Sequence, residues 1–399
     1  MSASPRPSTA APAVSPRPPV AAATLAAAAR RVGSLLVFAV GPVALTVAVL
    51  QKATSLGVGF GLGFDYGAVW RAGRRILDGA SPYPAPVPEH LIAEDQYVYP
   101  PITAIVGSPL SLLPFDVAAA AVSLLLIGAV ALTLWVLGVR DWRCYGAAFL
   151  AGGVLHGIRL GAMSALLALG VALAWRYRHR TRVVALTVAL LVAAKLFLWP
   201  LGVWLLATRR YAAAALAALG GLVAVVVPWA LIGFDGLRDY PELLRVLTEV
   251  LQWKGYSVAA LGLSLGLGAG AAKALSYALG AALLAGALVL GRGRDGDFRA
   301  FVATVGAAFA LTPMLWGHYF VVLLVPIAIR RPRLTPLWVL PMVFWLAILQ
   351  SFGDPLEIGS MLAAAAVVLA GAVFRPETAA STCAGRRGHH PAPAANRAR

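Results

Sequence analysis

With 399 residues, 60% of them hydrophobic and only 12% charged, this chain is far more apolar than a soluble protein, which carries roughly 25% charged residues. A folded interior cannot hide that much apolar surface, so lipid is its solvent and a soluble globular class is excluded. The formal net charge of +17 is no nucleic-acid footprint, because the arginines cluster in the breaks between apolar stretches, where membrane topology puts them.

Residues 1–29, rich in Ala, Pro and Ser, cannot bury enough surface to fold and are expected to form a disordered cytoplasmic tail. The apolar stretch Ser34–Leu50 follows Arg30 and Arg31. A signal peptide has this pattern, but the long tail and the many later spans favour a retained first helix with its N-terminus inside. The positive-inside rule places the Arg clusters at 140–143, 176–182, 209–210, 292–299 and 330–333 in the cytoplasm. Connecting them requires crossings near 34–54, 115–139, 144–157, 160–175, 211–233, 257–291, 300–315, 318–330, 335–350 and 356–374. Residues 183–207 lie between two such clusters, which predicts a hairpin or re-entrant pair with Lys195 near its turn. The expected fold class is all-α: a polytopic transmembrane helical bundle of about twelve membrane helices. It would occupy residues 30–375, with both termini inside and a disordered basic tail at 376–399.

Two large outer loops result, 55–100 and 234–256, with a smaller one at 351–357. They hold Asp65, Asp78, Glu89, Glu94, Asp95, Asp235, Asp239, Glu242, Glu249, Asp354 and Glu357. Acidic residues do little to set topology, so either loop solvation or chemistry accounts for them. In the first loop Tyr66, Val69, Trp70, Gly73, Ile76 and Leu77 recur at helical spacing, with Arg71, Arg74, Arg75 and Asp78 opposite. This predicts an amphipathic helix lying at the membrane surface. Asp65 falls at its N-cap position and Gly79 at its stop. Four residues before Val69, the Asp65 side chain projects beside the apolar stripe, toward the protein body. Capping and catalysis both suit it, and the two are compatible. Tyr83 in the Asp78–Pro84 segment and Tyr99 in Tyr97–Pro101 either stack on a sugar ring or belong to an interfacial aromatic belt.

This series of motifs resembles the polyprenol-phosphate-mannose-dependent mannosyltransferases of glycosyltransferase family 87, within the GT-C superfamily. It runs from Asp65-Tyr66 after the first span, through the helix ending at Gly79 and leading to Tyr83, to Tyr99-Pro100-Pro101 at the next segment. The likeness covers most of residues 34–374. It continues through His156-Gly157-Ile158-Arg159-Leu160-Gly161-Ala162-Met163-Ser164, through Lys195 followed by Pro200, and through Trp316-Gly317-His318-Tyr319. The chain departs at Gly161-Ala162-Met163-Ser164, where family members often carry Gly-Gln-x-Asn. The resemblance implies a GT-C bundle that moves a hexose, mannose by family, with arabinofuranose the alternative sugar. The donor would be a polyprenyl-phosphate sugar and the acceptor a glycolipid or glycan on the extracytoplasmic face of the cell membrane. It implies Asp65 as catalytic base, His318 close to the same cavity, and Arg159 and Lys195 near the carrier phosphate. Tyr66, Tyr83 and Tyr99 complete the candidate substrate contacts. The preference for Arg over Lys, with Lys only at 52, 195, 254 and 273, fits a GC-rich, actinobacterial-type genome.

The chemistry is economical. No nucleotide-sugar pool is expected outside the cytoplasmic membrane, so a sugar donor arrives tethered to a lipid. Displacing a lipid phosphate from the anomeric carbon needs a base for the acceptor hydroxyl, as an inverting glycosidase needs one for water. Phosphate leaves as a stabilised anion, so no general acid, metal or other cofactor is called for. Cys144 and Cys383 offer neither a metal-ligand spacing nor a disulfide framework. Charges inside an apolar segment suggest function by default, although Lys195 could snorkel from a re-entrant turn and His318 could be a hydrogen-bonded core histidine. The rival class is a transporter or lipid flippase, which would show internal repeats and midplane ionisable residues. The sequence shows no repeat.

Overall fold

The computed structural model describes residues 20–55, 61–88, 97–293, 295–348 and 352–374, and among these no strand occurs. Helix α1 (Val20–Leu35) runs through a π turn at Leu36–Val40 into α2 (Gly41–Ser55). Residues 20–29, which composition assigns to the tail, are therefore helical. The rest of that tail and the whole of the tail at 376–399 lie outside the described residues. The segment after α2 carries α3 (Phe64–Leu77) and leads to α4 (Pro101–Gly107). Then come α5 (Phe115–Val136), α6 (Trp142–Leu150), α7 (Gly152–Leu160), α8 (Ser164–Arg176), α9 (Thr181–Ala194), α10 (Pro200–Ala207) and α11 (Tyr211–Leu231). The second half holds α12 (Tyr240–Leu251), α13 (Val258–Ser264), α14 (Ala269–Leu290), α15 (Gly296–Leu311), a 3-10 segment Gly317–Leu323, α16 (Leu324–Arg330), a 3-10 segment Leu340–Ile348 and α17 (Pro355–Val373).

Local chemistry sets the breaks. Pro101, Pro200 and Pro355 open α4, α10 and α17, where a missing N–H is harmless. The Asp141 and Asp354 carboxylates accept from the backbone N–H of Arg143 and Leu356 and so cap α6 and α17. Gly266, at φ +86°, divides the expected 257–291 crossing into α13 and α14.

Five helical stretches are long and apolar enough to cross a membrane: Ala27–Lys52, Phe115–Val136, Tyr211–Leu231, Ala269–Leu290 and Pro355–Val373. Helices α7 and α8, bent by 119° across a short break, make a sixth if taken as one span. Among the described residues helix length thus carries five or six crossings, against the twelve or so expected. The other apolar helices, Thr181–Ala194, Leu196–Ala207 and Gly317–Arg330 among them, are shorter, because prolines and Arg-bearing turns cut the apolar sequence into half-length pieces. Large apolar side chains on α11 (Leu219, Leu222, Val223) and α14 (Leu275, Leu279, Val289) face outward, which lipid makes favourable and water does not. The protein is membrane-bound. At its centre α15 is buried along most of its length, with Phe301 packed on Trp175 and Trp204.

The Arg-bearing turns meet one another. The Asp297 carboxylate, in the first turn of α15, accepts from Arg178 Nε (2.9 Å), from both Arg210 terminal nitrogens (2.8 and 2.9 Å) and from Trp204 Nε1 (2.9 Å). Arg330 reaches Asp295 at 3.4 Å, and Asp141 accepts from Leu334 N at 3.0 Å. Turns read as lying on one side of the membrane are thus joined at one end of the bundle. Removing one member of a part-buried charge network strands the others. Asp297→Ala is therefore expected to destabilise the protein by on the order of 2 kcal/mol, read as a lower Tm in detergent. An unchanged Tm would show that this carboxylate does not hold the end together.

Candidate active site

The site starts with how α3 is docked. Its N-cap is Gly63, at φ +79° and with no side-chain cap, and the Gly63 N–H donates to the Arg159 carbonyl at 2.8 Å. Gly161, the α7 C-cap, is also left-handed at φ +68°. A Cβ on Gly63 would lie 2.8 Å from Ala119 Cβ, and one on Gly161 would lie 2.6 Å from Tyr66 Cβ. Only glycine supplies both the backbone conformation and the close approach. The expectation for Asp65 is therefore corrected: it is not the N-cap but sits in the first turn of α3, so capping does not explain it. The packed face keeps most of the expected stripe, with Tyr66 and Gly73 buried and Val69, Trp70 and Ile76 against the core, but shifts toward small residues. Helix α3 buries its small residues Gly67, Ala68, Ala72 and Gly73 with Tyr66, while Leu77, assigned to the apolar stripe, is exposed. Small residues win because they bring the backbones together. Gly79, at φ +74°, follows the end of the helix as expected.

So docked, Asp65 faces the cluster formed by α7, the α9 break and the Gly317–Leu323 segment. Its Oδ2 lies 3.6 Å from His318 Nε2, beyond hydrogen-bond length. His318 is 4% exposed at its side chain and Asp65 21%, so Asp65 is the less enclosed of the two. Lys195 interrupts the chain between α9 and Leu196–Leu198 in an extended conformation (φ −154°, ψ 107°). Its Nζ stands 3.9 Å from the centroid of the Tyr319 ring and 5.2 Å from that of Tyr99, an arrangement in which aromatic faces hold a desolvated cation. Burial pushes the Asp65 carboxyl up from the usual carboxylate range to about 6, against the nearby charges of Lys195 and Arg159, which pull it down. Near neutral pH it is ionised, yet a stronger base than a solvated aspartate.

The structure thus gathers Asp65, Tyr99, Arg159, Lys195 and His318. Tyr66 and Tyr83 are placed otherwise. The Tyr66 ring stacks along Phe115 with centroids 6.3 Å apart, inside the α3 packing. Tyr83 sits among Tyr97, Trp229 and Tyr240 and donates from its hydroxyl to the Tyr99 carbonyl at 3.0 Å. It fixes the segment that carries Tyr99 and ties the first outer loop to the second. Two rings not singled out beforehand belong to the cluster: Tyr319 under Lys195, and His156, whose ring centroid is 6.2 Å from that of His318. Both stand inside motifs already noted, so adjacency in sequence was the signal. A third group had none. The Tyr256 N–H donates to Leu315 O at 2.6 Å and its hydroxyl to the buried Glu357 at 2.8 Å, bracing the segment that leads into His318. No group of three or more metal-ligating side chains is found among the described residues.

A desolvated carboxylate beside Lys195 and Arg159 is a combination suited to transfer from a phosphate, and known proteins agree in class. Residues 97–316, more than half of the chain, match glycosyltransferase family 87. The chain belongs to glycosyltransferase family 87. It is also 26% identical, over 76% of its own length and 75% of the relative's, to the polyprenol-phosphate-mannose-dependent alpha-(1-2)-phosphatidylinositol pentamannoside mannosyltransferase of Mycolicibacterium smegmatis. No solved structure matches it significantly. The family match contains Tyr99, Arg159 and Lys195, while Asp65 precedes it and His318 lies just past its end. The fold brings these two to the others.

If the glycine contact holds α3 in place, Gly161→Ala must push Tyr66 away and carry Asp65 with it. Transfer activity is expected to fall by about tenfold or more in protein that still inserts and purifies as a monodisperse species. Wild-type turnover in that variant would separate α3 docking from catalysis.

Proposed function

We propose that this glycosyltransferase moves mannose from a polyprenyl-phosphate sugar to a glycolipid or glycan acceptor on the extracytoplasmic face, by a single inverting displacement with Asp65 as general base. The observation that carries it is the Asp65 carboxylate, largely desolvated and facing His318 with Lys195 and Arg159 close by. The acceptor hydroxyl gives its proton to Asp65 as its oxygen bonds to the anomeric carbon. The bond from that carbon to the carrier phosphate breaks, and the phosphate departs with the electron pair, its charge met by Lys195 or Arg159. The donor and acceptor classes follow the relative's name, which specifies polyprenol-phosphate mannose and a phosphatidylinositol mannoside.

Sidedness follows from helix rise. Helices α8 and α9, 13 and 14 residues long, each climb about 20 Å between the Arg-bearing turns and the cluster at Arg159 and Lys195. With the arginines inside, the site lies toward the outer leaflet, α3 lies at the surface, and both termini are cytoplasmic. The shorter apolar helices would supply further crossings in pairs.

Membranes carrying the protein, given radiolabelled polyprenyl-phosphate mannose and phosphatidylinositol mannosides, should label the glycolipid fraction. Asp65→Asn should lower this by about 10²–10⁴-fold with the protein level unchanged, and a variant with normal turnover would end the reading of Asp65 as base. Labelling from arabinofuranose in place of mannose would reassign the sugar.

The base must be ionised, so kcat/KM should fall below an acid limb near pH 6. Because Lys195 lowers the Asp65 pKa, Lys195→Met should move that limb to higher pH and raise the donor KM. A limb that stays in place would detach Lys195 from the base.

A further inference from the structure

His318 and His156 share an unusual feature: each has a buried Nδ1 with no hydrogen-bond partner. Their rings are 6.2 Å apart and tilted by 32°, a separation that one water bridges. They come close because α7 carries Gly157 between its two polar residues, where a Cβ would stand 3.2 Å from His318 Cβ. A buried, unpaired ring nitrogen costs the full desolvation of that atom, and two of them on neighbouring rings point to a shared polar bridge. His318 turns its other nitrogen, Nε2, to the Asp65 carboxylate at 3.6 Å. In a neutral imidazole only one nitrogen carries the proton, and the partner of the other nitrogen decides which.

We propose that His156 is a positioning residue for the Asp65–His318 pair: through a water held between the two imidazoles it satisfies His318 Nδ1 as an acceptor and so keeps the His318 proton on Nε2, facing the carboxylate. This rests on the reading of Asp65 as base. With the proton on Nε2, His318 meets the negative charge of Asp65 with an N–H. With the proton on Nδ1, a lone pair would face that charge, and the ionised base would be disfavoured. The other titratable or charged groups around the pair are Lys195 from the α9 break, Arg159 from α7, Tyr99 from the first outer loop and Tyr319 beside His318. None of these replaces an acceptor's partner at His318 Nδ1 in the structure.

The test uses the full-length protein in detergent, with radiolabelled polyprenyl-phosphate mannose as donor and phosphatidylinositol mannosides as acceptor. His156→Leu should lower kcat about tenfold, leave the donor KM within about twofold, and move the acid limb of kcat/KM up by about one pH unit. His156→Asn keeps a hydrogen-bonding atom near the place of Nδ1 and should restore both kcat and the limb. His156→Gln puts its amide near the place of Nε2 instead and should behave like His156→Leu, so the comparison survives if the leucine variant does not fold. A wild-type profile in His156→Leu, a drop in kcat with the limb unmoved, or an Asn variant no better than Leu would each overturn the proposal. Asp65→Asn runs in the same assay. If that variant stays active, the base itself is wrong. If it is inactive while His156→Leu is normal, only the positioning role falls.

Discussion

Asp65 is kept from water chiefly by backbone approach. The Gly63 N–H on the Arg159 carbonyl, and the bare Gly161 against Tyr66, set the helix carrying the carboxylate directly on the α7 turn. Everything else in the site depends on that closeness. With side chains between the two turns, Asp65 would move out toward solvent, regain an ordinary acidity and lose its contact with His318. Two strained-looking turns, each cheap for glycine and costly for any other residue, thus determine the chemistry of a residue that neither of them is.

The bundle separates its two kinds of charge by function. At one end, Asp297 and its arginines are saturated with partners: two guanidinium groups and an indole N–H meet one carboxylate. At the other, Lys195 has aromatic faces for neighbours, and Asp65 stands beyond hydrogen-bond reach of His318. Fully paired charges hold a fold together, whereas charges left short of partners in a dry setting are available to a substrate. That contrast, more than the presence of any one residue type, distinguishes the end proposed to be catalytic from the structural one.

The polytopic helical class was legible in composition, and the Arg-bearing turns in the positive-inside pattern, because both depend on summed properties of many residues. Asp65, Lys195 and His318 were legible from the motif series, each being a polar interruption in an apolar run. The N-cap assignment of Asp65 failed for a local reason: aspartate is the commoner cap, and a left-handed Gly63 two residues earlier takes the role only because of what α7 presents to it. Most of the α3 stripe was legible, Tyr66 and Gly73 being buried, but hydropathy ranks Leu77 above Gly67, Ala68 and Ala72, while close helix contact ranks them the other way. The hairpin expected at 183–207 is present, α9 and α10 meeting at Lys195, whereas helix length alone carries only five or six crossings because prolines and Arg-bearing turns leave the other apolar helices short. The Tyr256–Glu357 brace had no sequence signal, since its partners are about a hundred positions apart.

The network at Asp297 also bears on how a long lipid enters. Three separate turns converge on that one carboxylate, from α8, from the start of α11 and from α15, so the helices are fastened at their base and cannot part there. A bundle stapled at one end opens, if at all, like a pair of tongs. The gap widens with distance from the staple and is greatest at the rim where Asp65 waits. Entry between the helices therefore requires the least rearrangement at the end away from Asp297.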